Sequence, residues 1–321
     1  PARVVHCPPH FKKPGYCLFV RKMLYGLHAS GKEWNSLFVS WMLSQGFEQC
    51  TASDECLFRK VVNDRELFVC LYVDDCLYCG DNELMAEFKA AIETRFKVRH
   101  LDGTEFLGLT IEYDLAAGVL ELGQAKYVEK VLKRFGFWTC KTRTTPMAKG
   151  VTLEQLHGEC PDKDLQTLYR QMVGSLMFLS VSTRPDISYA VKEPSRHLVH
   201  PSTEHMQAAG RVMRYLHGTL HHKLTYRRDD TAAFYGSCDA DWAGEWDTAK
   251  STTGFAFSGG SGAISWKAGT QAVVTHSSTE AELVALDSAV RELQYLQQLL
   301  LDLGVDVDVP VEVLQDNMST I

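Results

Sequence analysis

At 321 residues the chain is long for one domain and short for three, and its 45% hydrophobic and 23% charged residues describe a globular protein with a core to bury. No apolar run approaches the roughly eighteen residues a membrane helix needs, and the opening residues carry no apolar signal core, so neither a membrane span nor a secretion signal is expected. The net charge of −7 is unevenly spread: Lys+Arg stand at 20 against 18 Asp+Glu in residues 1–150, at 10 against 7 in 151–228, and at 3 against 15 in 229–321. The acidic last segment cannot hold a polyanion by bulk charge; it needs metal ions or its basic neighbour to do so.

In chain order, an irregular Pro- and His-rich opening gives way to a helical pattern near Gly31-Lys32, with Trp34, Leu37, Phe38, Trp41 and Met42 recurring up to Gly46. Two apolar runs, 67–73 and 76–78, read as a β-hairpin with Asp74-Asp75 between them, ended by Gly80. A helix is expected over 82–96, strands over 106–113 and 119–122, and a helix over 125–135. The Thr-, Lys-, Pro- and Gly-rich stretch 140–160 reads as a linker. Helices over 165–182 and 202–217 flank Thr183-Arg184-Pro185-Asp186, and Asp229-Asp230 mark a second boundary. Strands over 232–238, 253–257 and 263–266, a helix over 278–303 and a strand over 311–315 complete the series.

The ten cysteines, Cys7, Cys17, Cys50, Cys56, Cys70, Cys76, Cys79, Cys140, Cys160 and Cys238, are scattered and read as reduced thiols. Cys76 and Cys79 have redox or zinc spacing, but no second pair follows and they sit in a strand pattern, so a structural role is preferred. His217, His221 and His222 at a helix end are read as a solvated cluster facing nucleic acid rather than a metal site.

Asp74-Asp75 admits two readings. Asp is favoured at chain reversals. A two-residue hairpin, however, wants Gly or Asn, and two like charges between apolar strands repel unless a cation lies near. Phosphoryl transfer uses two metal ions about 3.5–4 Å apart, and adjacent aspartates on a rigid hairpin supply part of such a site. The surroundings then resemble one family. Tyr72-Val73-Asp74-Asp75 is similar to the polymerase motif of reverse transcriptases. Leu24-Tyr25-Gly26-Leu27 with Trp34, Gly46-Phe47, Phe106-Leu107-Gly108-Leu109, residues 127–136, Tyr169-Arg170-Gln171, residues 173–176 and Thr183-Arg184-Pro185-Asp186-Ile187 resemble, in order, copia-type LTR-retrotransposon Pol polyproteins. The resemblance implies that Asp74 and Asp75 are catalytic metal ligands. The third aspartate such a polymerase requires is expected upstream of Pro1, so the chain is expected to lack polymerase activity by itself.

In the acidic segment, Glu280 and Glu282 also suit a helix N-terminus and Asp316 a cap, which is the ordinary explanation for each alone. Together, residues 239–244 (DADWAG), 250–254 (KSTTG), Ile264-Ser265-Trp266-Lys267, 277–282 and Asp316-Asn317 resemble the RNase H domain of the same elements. The resemblance implies that Asp239, Glu282 and Asp316 bind Mg²⁺ (Mn²⁺ as a substitute) and cut the RNA of an RNA–DNA hybrid, with Asp241 and Glu280 as bystanders. A fourth acid is expected beyond Ile321. On the 202–217 helix, His205, Arg211 and Arg214, with His217, lie off the apolar face, either as a solvated basic surface or as a track for the sugar–phosphate backbone.

The expected fold class is therefore an α+β partial reverse-transcriptase palm with a helical thumb/connection, then an α/β RNase H-like domain. The expected division is 1–147 palm, 148–228 thumb/connection and 229–321 RNase H-like domain. The implied partners are RNA template, DNA primer, RNA–DNA hybrid and dNTPs, with protease and integrase domains of the same polyprotein. The implied setting is intracellular, in cytoplasmic virus-like particles and the nucleus. The rivals are an inactive element remnant that at most binds nucleic acid, and a host protein that has adopted the fold.

Overall fold

In the computed structural model the described residues are 3–5, 9–11, 13, 15–20, 26–27, 29–228, 234–245, 247–306 and 310–320. Leu24, Tyr25, Cys7, His28, Ile321, the Asp229-Asp230 boundary and the start of the 232–238 strand lie outside them. The chain divides into two compact units, 1–99 with 298–305, and 100–297 with 306–321. The contacts thus divide the chain after Arg99, earlier than the expected palm boundary at 147.

The first unit holds β1 (Arg3–Val5) and β2 (Leu18–Val20), α1 (Ser30–Ser44), β3 (Glu48–Gln49), β4 (Leu57–Val62), β5 (Arg65–Tyr72), β6 (Asp75–Gly80) and α2 (Asn82–Arg95). Strands β3 to β6 form one antiparallel sheet in sequence order. On β5 the residues Leu67, Val69 and Leu71 are buried, the period of two expected of a strand with one covered face. Phe38 and Met42 from α1 and Leu84, Phe88 and Ile92 from α2 complete that core. Asp81 caps α2 by accepting from the Glu83 and Leu84 amides. The expected hairpin and the helix behind it are both present.

The second unit runs β7 (Glu105–Phe106), β8 (Leu109–Asp114), β9 (Val119–Gly123), α3 (Ala125–Arg134), α4 (Lys163–Ser182), α5 (Ser188–Ser195), α6 (Thr203–Gly218), β10 (Leu224–Arg227), β11 (Tyr235–Glu245), β12 (Lys250–Gly259), β13 (Gly262–Thr270), α7 (Ser278–Asp302) and β14 (Val313–Leu314). Gln298–Asp302 of α7 cluster with the first unit. Two sheets result, ordered β10-β9-β8-β7 and β13-β12-β11-β14. In the second, β11, β12 and β13 are antiparallel and β14 runs parallel to β11. Strand β10 comes from the stretch read as purely helical, yet it pairs with β9 over four residues. Helix α5 is also absent from the sequence reading, because it is short and contains Pro194, which ordinarily marks a helix end. The 140–160 stretch has no helix or strand, but Leu153 and Cys160 are buried, so it packs rather than spans.

A buried ionic network ties α5 to the second sheet. The Lys192 ammonium lies 3.0 Å from Glu245 and 2.7 Å from Glu193, and donates to the Thr252 hydroxyl at 2.8 Å. Arg196 reaches the other Glu245 oxygen at 3.0 Å, and Thr248 and Thr270 also donate to that carboxylate. Burial alone pushes the Glu245 carboxyl up, but the bonds from Thr270, Lys192 and Thr248 outweigh it and hold it below the usual glutamate range. Glu245 and Lys192 are 2% and 5% exposed, so neither charge has water to fall back on. Glu245→Ala is expected to cost about 3–5 kcal/mol, because it leaves the two cations Lys192 and Arg196 facing the one carboxylate of Glu193. Urea unfolding measures it; a loss under about 1 kcal/mol would remove the network from this role.

Next to the network, His197 stacks on His205 with ring centroids 4.0 Å apart, and both His197 ring nitrogens are buried without a partner. Burial, then His205 and Arg196, push the His197 imidazole down to about 4 against the opposing pull of Glu193 and Asp247. A depressed histidine is taken up with its proton by the unfolded chain first, so stability is full above the unfolded value near 6.5 and falls as pH drops towards 4. Between pH 7.5 and 5 the wild type should lose about 2 kcal/mol more than His197→Phe. Parallel pH slopes for the two proteins would refute this.

Candidate active site

The hairpin between β5 and β6 pairs Tyr72 with Asp75, so the two turn residues are Val73 and Asp74, and Asp75 already belongs to β6. The turn therefore sits one residue earlier than the sequence reading placed it. Its positive φ falls on Val73, at 55°, and not on either aspartate. A β-branched residue is costly there, and such strain persists only where the surroundings enforce it. The enforcing contact is visible: the Trp34 indole N–H on α1 donates to the Val73 carbonyl at 2.5 Å. Trp34 is itself fixed among Phe38 and Phe96. Asp74 and Asp75 are exposed at the tip. Cys76 packs on the core while Cys79 is exposed, so the pair does not form one ligand set.

In the second unit, carboxylate oxygens of Asp239, Glu282 and Asp316 lie within 4.8 Å of one another. Among the described residues this is the group of three or more acidic, His or Cys side chains placed to hold a metal ion, and it includes neither Asp74 nor Asp75. Asp239 lies inside β11 rather than at its end, Glu282 in the first turns of α7, and Asp316 two residues beyond β14. The parallel register of Gly236 with Val313 and Ser237 with Leu314 carries Asp239 and Asp316 to the same level. The start of α7 is fixed by Gln271, whose Nε2 donates to the Ala281 carbonyl at 2.8 Å and to Thr253 at 3.1 Å.

Two of the three acids are partly engaged already. The Ala240 amide donates to Asp239 Oδ1 at 2.9 Å, and Gln315 Nε2 donates to Glu282 Oε2 at 3.0 Å. Burial first, then the Asp239 and Asp316 carboxylates, push the Glu282 carboxyl above the usual glutamate range, against the opposing bonds from Gln315 and the Ala240 amide. Among the described residues no Lys or Arg forms an ion pair with any of the three. An all-carboxylate set of this kind suits a hard divalent cation such as Mg²⁺ or Mn²⁺.

The two bystander acids face elsewhere. Glu280 accepts from the His276 amide at 2.7 Å, and the Asp241 carboxylate crowds the Cα of Gly244, where a Cβ would lie 2.3 Å from it. That approach, beside a β-bulge and Ala243 at φ 51°, accounts for the glycine ending the 239–244 motif. In 250–254, Ser251 bonds Thr275 and the Ala243 amide, Thr252 takes Lys192 and Thr253 takes Gln271. These residues brace the site and do not line it. Sequence reasoning missed Gln315, Gln271 and the Trp34 N–H, since nothing in their spacing separates them from ordinary polar or core positions.

Of the α6 residues expected off the apolar face, His205 is buried and the Arg211 side chain is engaged. Arg211 donates to Thr145 at 2.8 Å, the Arg143 amide bonds the Arg214 carbonyl, and Phe137 and Thr142 crowd Gly210 and Gly218. Segment 137–145 thus packs against Gly210, Arg211 and Gly218 of the helix. His217 Nδ1 lies 3.2 Å from the Cys140 carbonyl, whereas His221 and His222 are exposed, so the three histidines are not one solvated cluster.

Comparison with known proteins places the chain. Residues 4–149 match the family model described as reverse transcriptase (RNA-dependent DNA polymerase). The Retrovirus-related Pol polyprotein from transposon TNT 1-94 of Nicotiana tabacum is 36% identical over 295 residues, 89% of this chain and 22% of that protein. The Pol polyprotein from transposon RE2 of Arabidopsis thaliana is 36% identical over 318 residues, 97% and 21% respectively. An uncharacterized mitochondrial protein of Arabidopsis thaliana is 35% identical over 231 residues, 71% of this chain and 94% of that one. The chain belongs to the copia-type retrotransposon Pol family. It spans about a fifth of the length of the two Pol polyproteins it matches. No helix of the described residues is long and apolar enough to cross a membrane.

The Trp34 contact can be checked on its own. Trp34→Phe keeps a ring in the aromatic cluster but removes the donor, and should cost about 1–2 kcal/mol while raising amide exchange at residues 72–75. Unchanged exchange in the hairpin would show that the turn does not depend on this bond.

Proposed function

We propose that this reverse-transcriptase-family chain carries two phosphoryl-transfer centres, the Asp74/Asp75 hairpin for DNA synthesis and the Asp239, Glu282 and Asp316 cluster for RNase H cleavage. In this reading 1–147 is palm, 148–228 thumb/connection and 229–321 an RNase H-like domain. The observation that carries the nuclease half is the convergence of the three acids, far apart in sequence, within 4.8 Å. The β13-β12-β11-β14 order with α7 between β13 and β14 supports it, because it sets two strand acids beside the helix that supplies the third.

Bound Mg²⁺ would supply charge neutralisation and a nucleophile activated at neutral pH. Asp239 and Glu282 each hold an oxygen in a protein hydrogen bond, and each still offers an oxygen to the cluster. The acids' own charge repels a phosphodiester, a repulsion that a bound cation would offset. The 229–321 segment, at 3 Lys+Arg against 15 Asp+Glu, supplies little cationic grip. The RNA–DNA hybrid is therefore held by basic residues outside that segment. Arg214 is the proposed contact on α6, while Arg211 is committed to Thr145.

The hairpin is less complete. No third acid of the described residues joins Asp74 and Asp75 as a ligand group, and octahedral Mg²⁺ tolerates missing ligands poorly. The chain alone is thus expected to cleave hybrid but not to extend primers. The test sets primer extension beside hybrid cleavage with Mg²⁺ or Mn²⁺, using Asp239→Asn as control. A loss of at least about 100-fold in cleavage is expected for that variant. Cleavage indifferent to Asp239→Asn would remove the nuclease assignment, and robust extension would overturn the ligand count.

A further inference from the structure

Gln315 stands between Asp316 and the end of β14, and three contacts fix its carboxamide. Its Nε2 donates to Glu282 Oε2 at 3.0 Å and approaches the Cys238 sulfur at 3.5 Å, while its Oε1 accepts from the Asn317 amide at 3.1 Å. The orientation has one solution. A backbone N–H can only donate and a carboxylate can only accept, so Asn317 takes the oxygen and Glu282 takes the nitrogen. No other residue type of this length serves both: Glu would set a fourth carboxylate against Glu282, and Lys has no acceptor for Asn317.

Glu282 is only 6% exposed and shares its space with two more carboxylates within 4.8 Å. A buried carboxylate without donors is costly, and a flexible glutamate has several rotamers with which to turn away from its neighbours. We propose that Gln315 is a positioning residue of the cluster, pinning Glu282 Oε2 so that Oε1 is presented, with Asp239 and Asp316, to a divalent cation. The proposal rests on the reading of those three acids as a cation site. Gln315 presents its nitrogen to Glu282, and that nitrogen has no lone pair to ligate with, while its oxygen lies at the Asn317 amide. Its position adjacent to Asp316 couples two of the acids, because the segment that aims Asp316 also aims the clamp on Glu282.

The probe is Mn²⁺ alone, titrated into the metal-free full chain and read as free Mn²⁺ by electron paramagnetic resonance. Gln315→Met keeps the side chain's length and suits the Cys238 contact but has no donor. It should weaken Mn²⁺ binding roughly 10–100-fold, the range found when a group orienting a metal ligand is removed. In a Glu282→Gln background the same change should alter binding less than about twofold, since the partner through which it acts is gone. A merely structural role predicts instead a lowered metal-free melting temperature with Mn²⁺ affinity unchanged, and that result overturns the proposal. So does an equal loss of affinity in both backgrounds. If Gln315→Met does not fold, Gln315→Asn, whose amide still reaches Asn317 but falls one carbon short of Glu282, carries the test with the same expectation. Failure of the underlying reading is distinguishable: wild type that binds no Mn²⁺, or binds it equally well as Asp239→Asn, removes the cation site and the proposal with it.

Discussion

Glu245 carries a full negative charge into a space closed to water, and the second unit is organised around satisfying it. Lys192 and Arg196 approach from α5, Thr248 from the turn after β11, and Thr270 from the end of β13. A charge so buried is tolerable only if every partner is in place, so the helix and three strands are held to one arrangement. The β-bulge between Asp241 and Glu245 is what turns that glutamate inward while Asp239, earlier on the same strand, remains exposed. One strand thereby serves two opposite electrostatic ends. It has a compensated acid at one place and an uncompensated one at another.

That contrast separates structural from functional acids here. Glu245 sits among two cations and two hydroxyls and its carboxyl is held low; Glu282 sits among acids and its carboxyl is pushed high by burial first. Both are buried. The first arrangement is complete without a ligand, whereas the second sets Gln315 and the Ala240 amide against three carboxylates. A group of like charges assembled by β11, β14 and α7 costs stability, and such costs persist where something else is bound. At the hairpin the cost takes a different form, a positive φ on Val73 held by the Trp34 indole, with charge left at the exposed tip.

Much of this was legible in the sequence. The 82–96 and 125–135 helices, the apolar hairpin strands and the long helix starting at Ser278 all follow from periodicity and capping, because each buries one face against a single core. Strand β4 escaped although β5, its partner, follows it directly, and so did elements that depend on a distant partner. Strand β10 has only four residues and exists because β9 offers an edge; α5 survives Pro194 because Lys192 and Arg196 anchor it. Arg211 and Arg214 read as a free basic face, yet the Arg211 guanidinium donates to Thr145. The acids of the site were recognised through resemblance to a family, not through spacing, since Asp239, Glu282 and Asp316 share no local pattern.

By itself the sequence determined the local order of helices and strands, the family, and which residue types were available for metal chemistry, because those are properties of neighbours along the chain. Only the tertiary structure decided which acids meet. Asp239 and Asp316 come level because β14 adds parallel to β11, and Glu282 joins them because Gln271 fixes where α7 begins. It also decided that Glu245 is neutralised and Glu282 is not. Coulomb energy depends on distance and burial through space, and neither quantity is written in the spacing of residues along a chain.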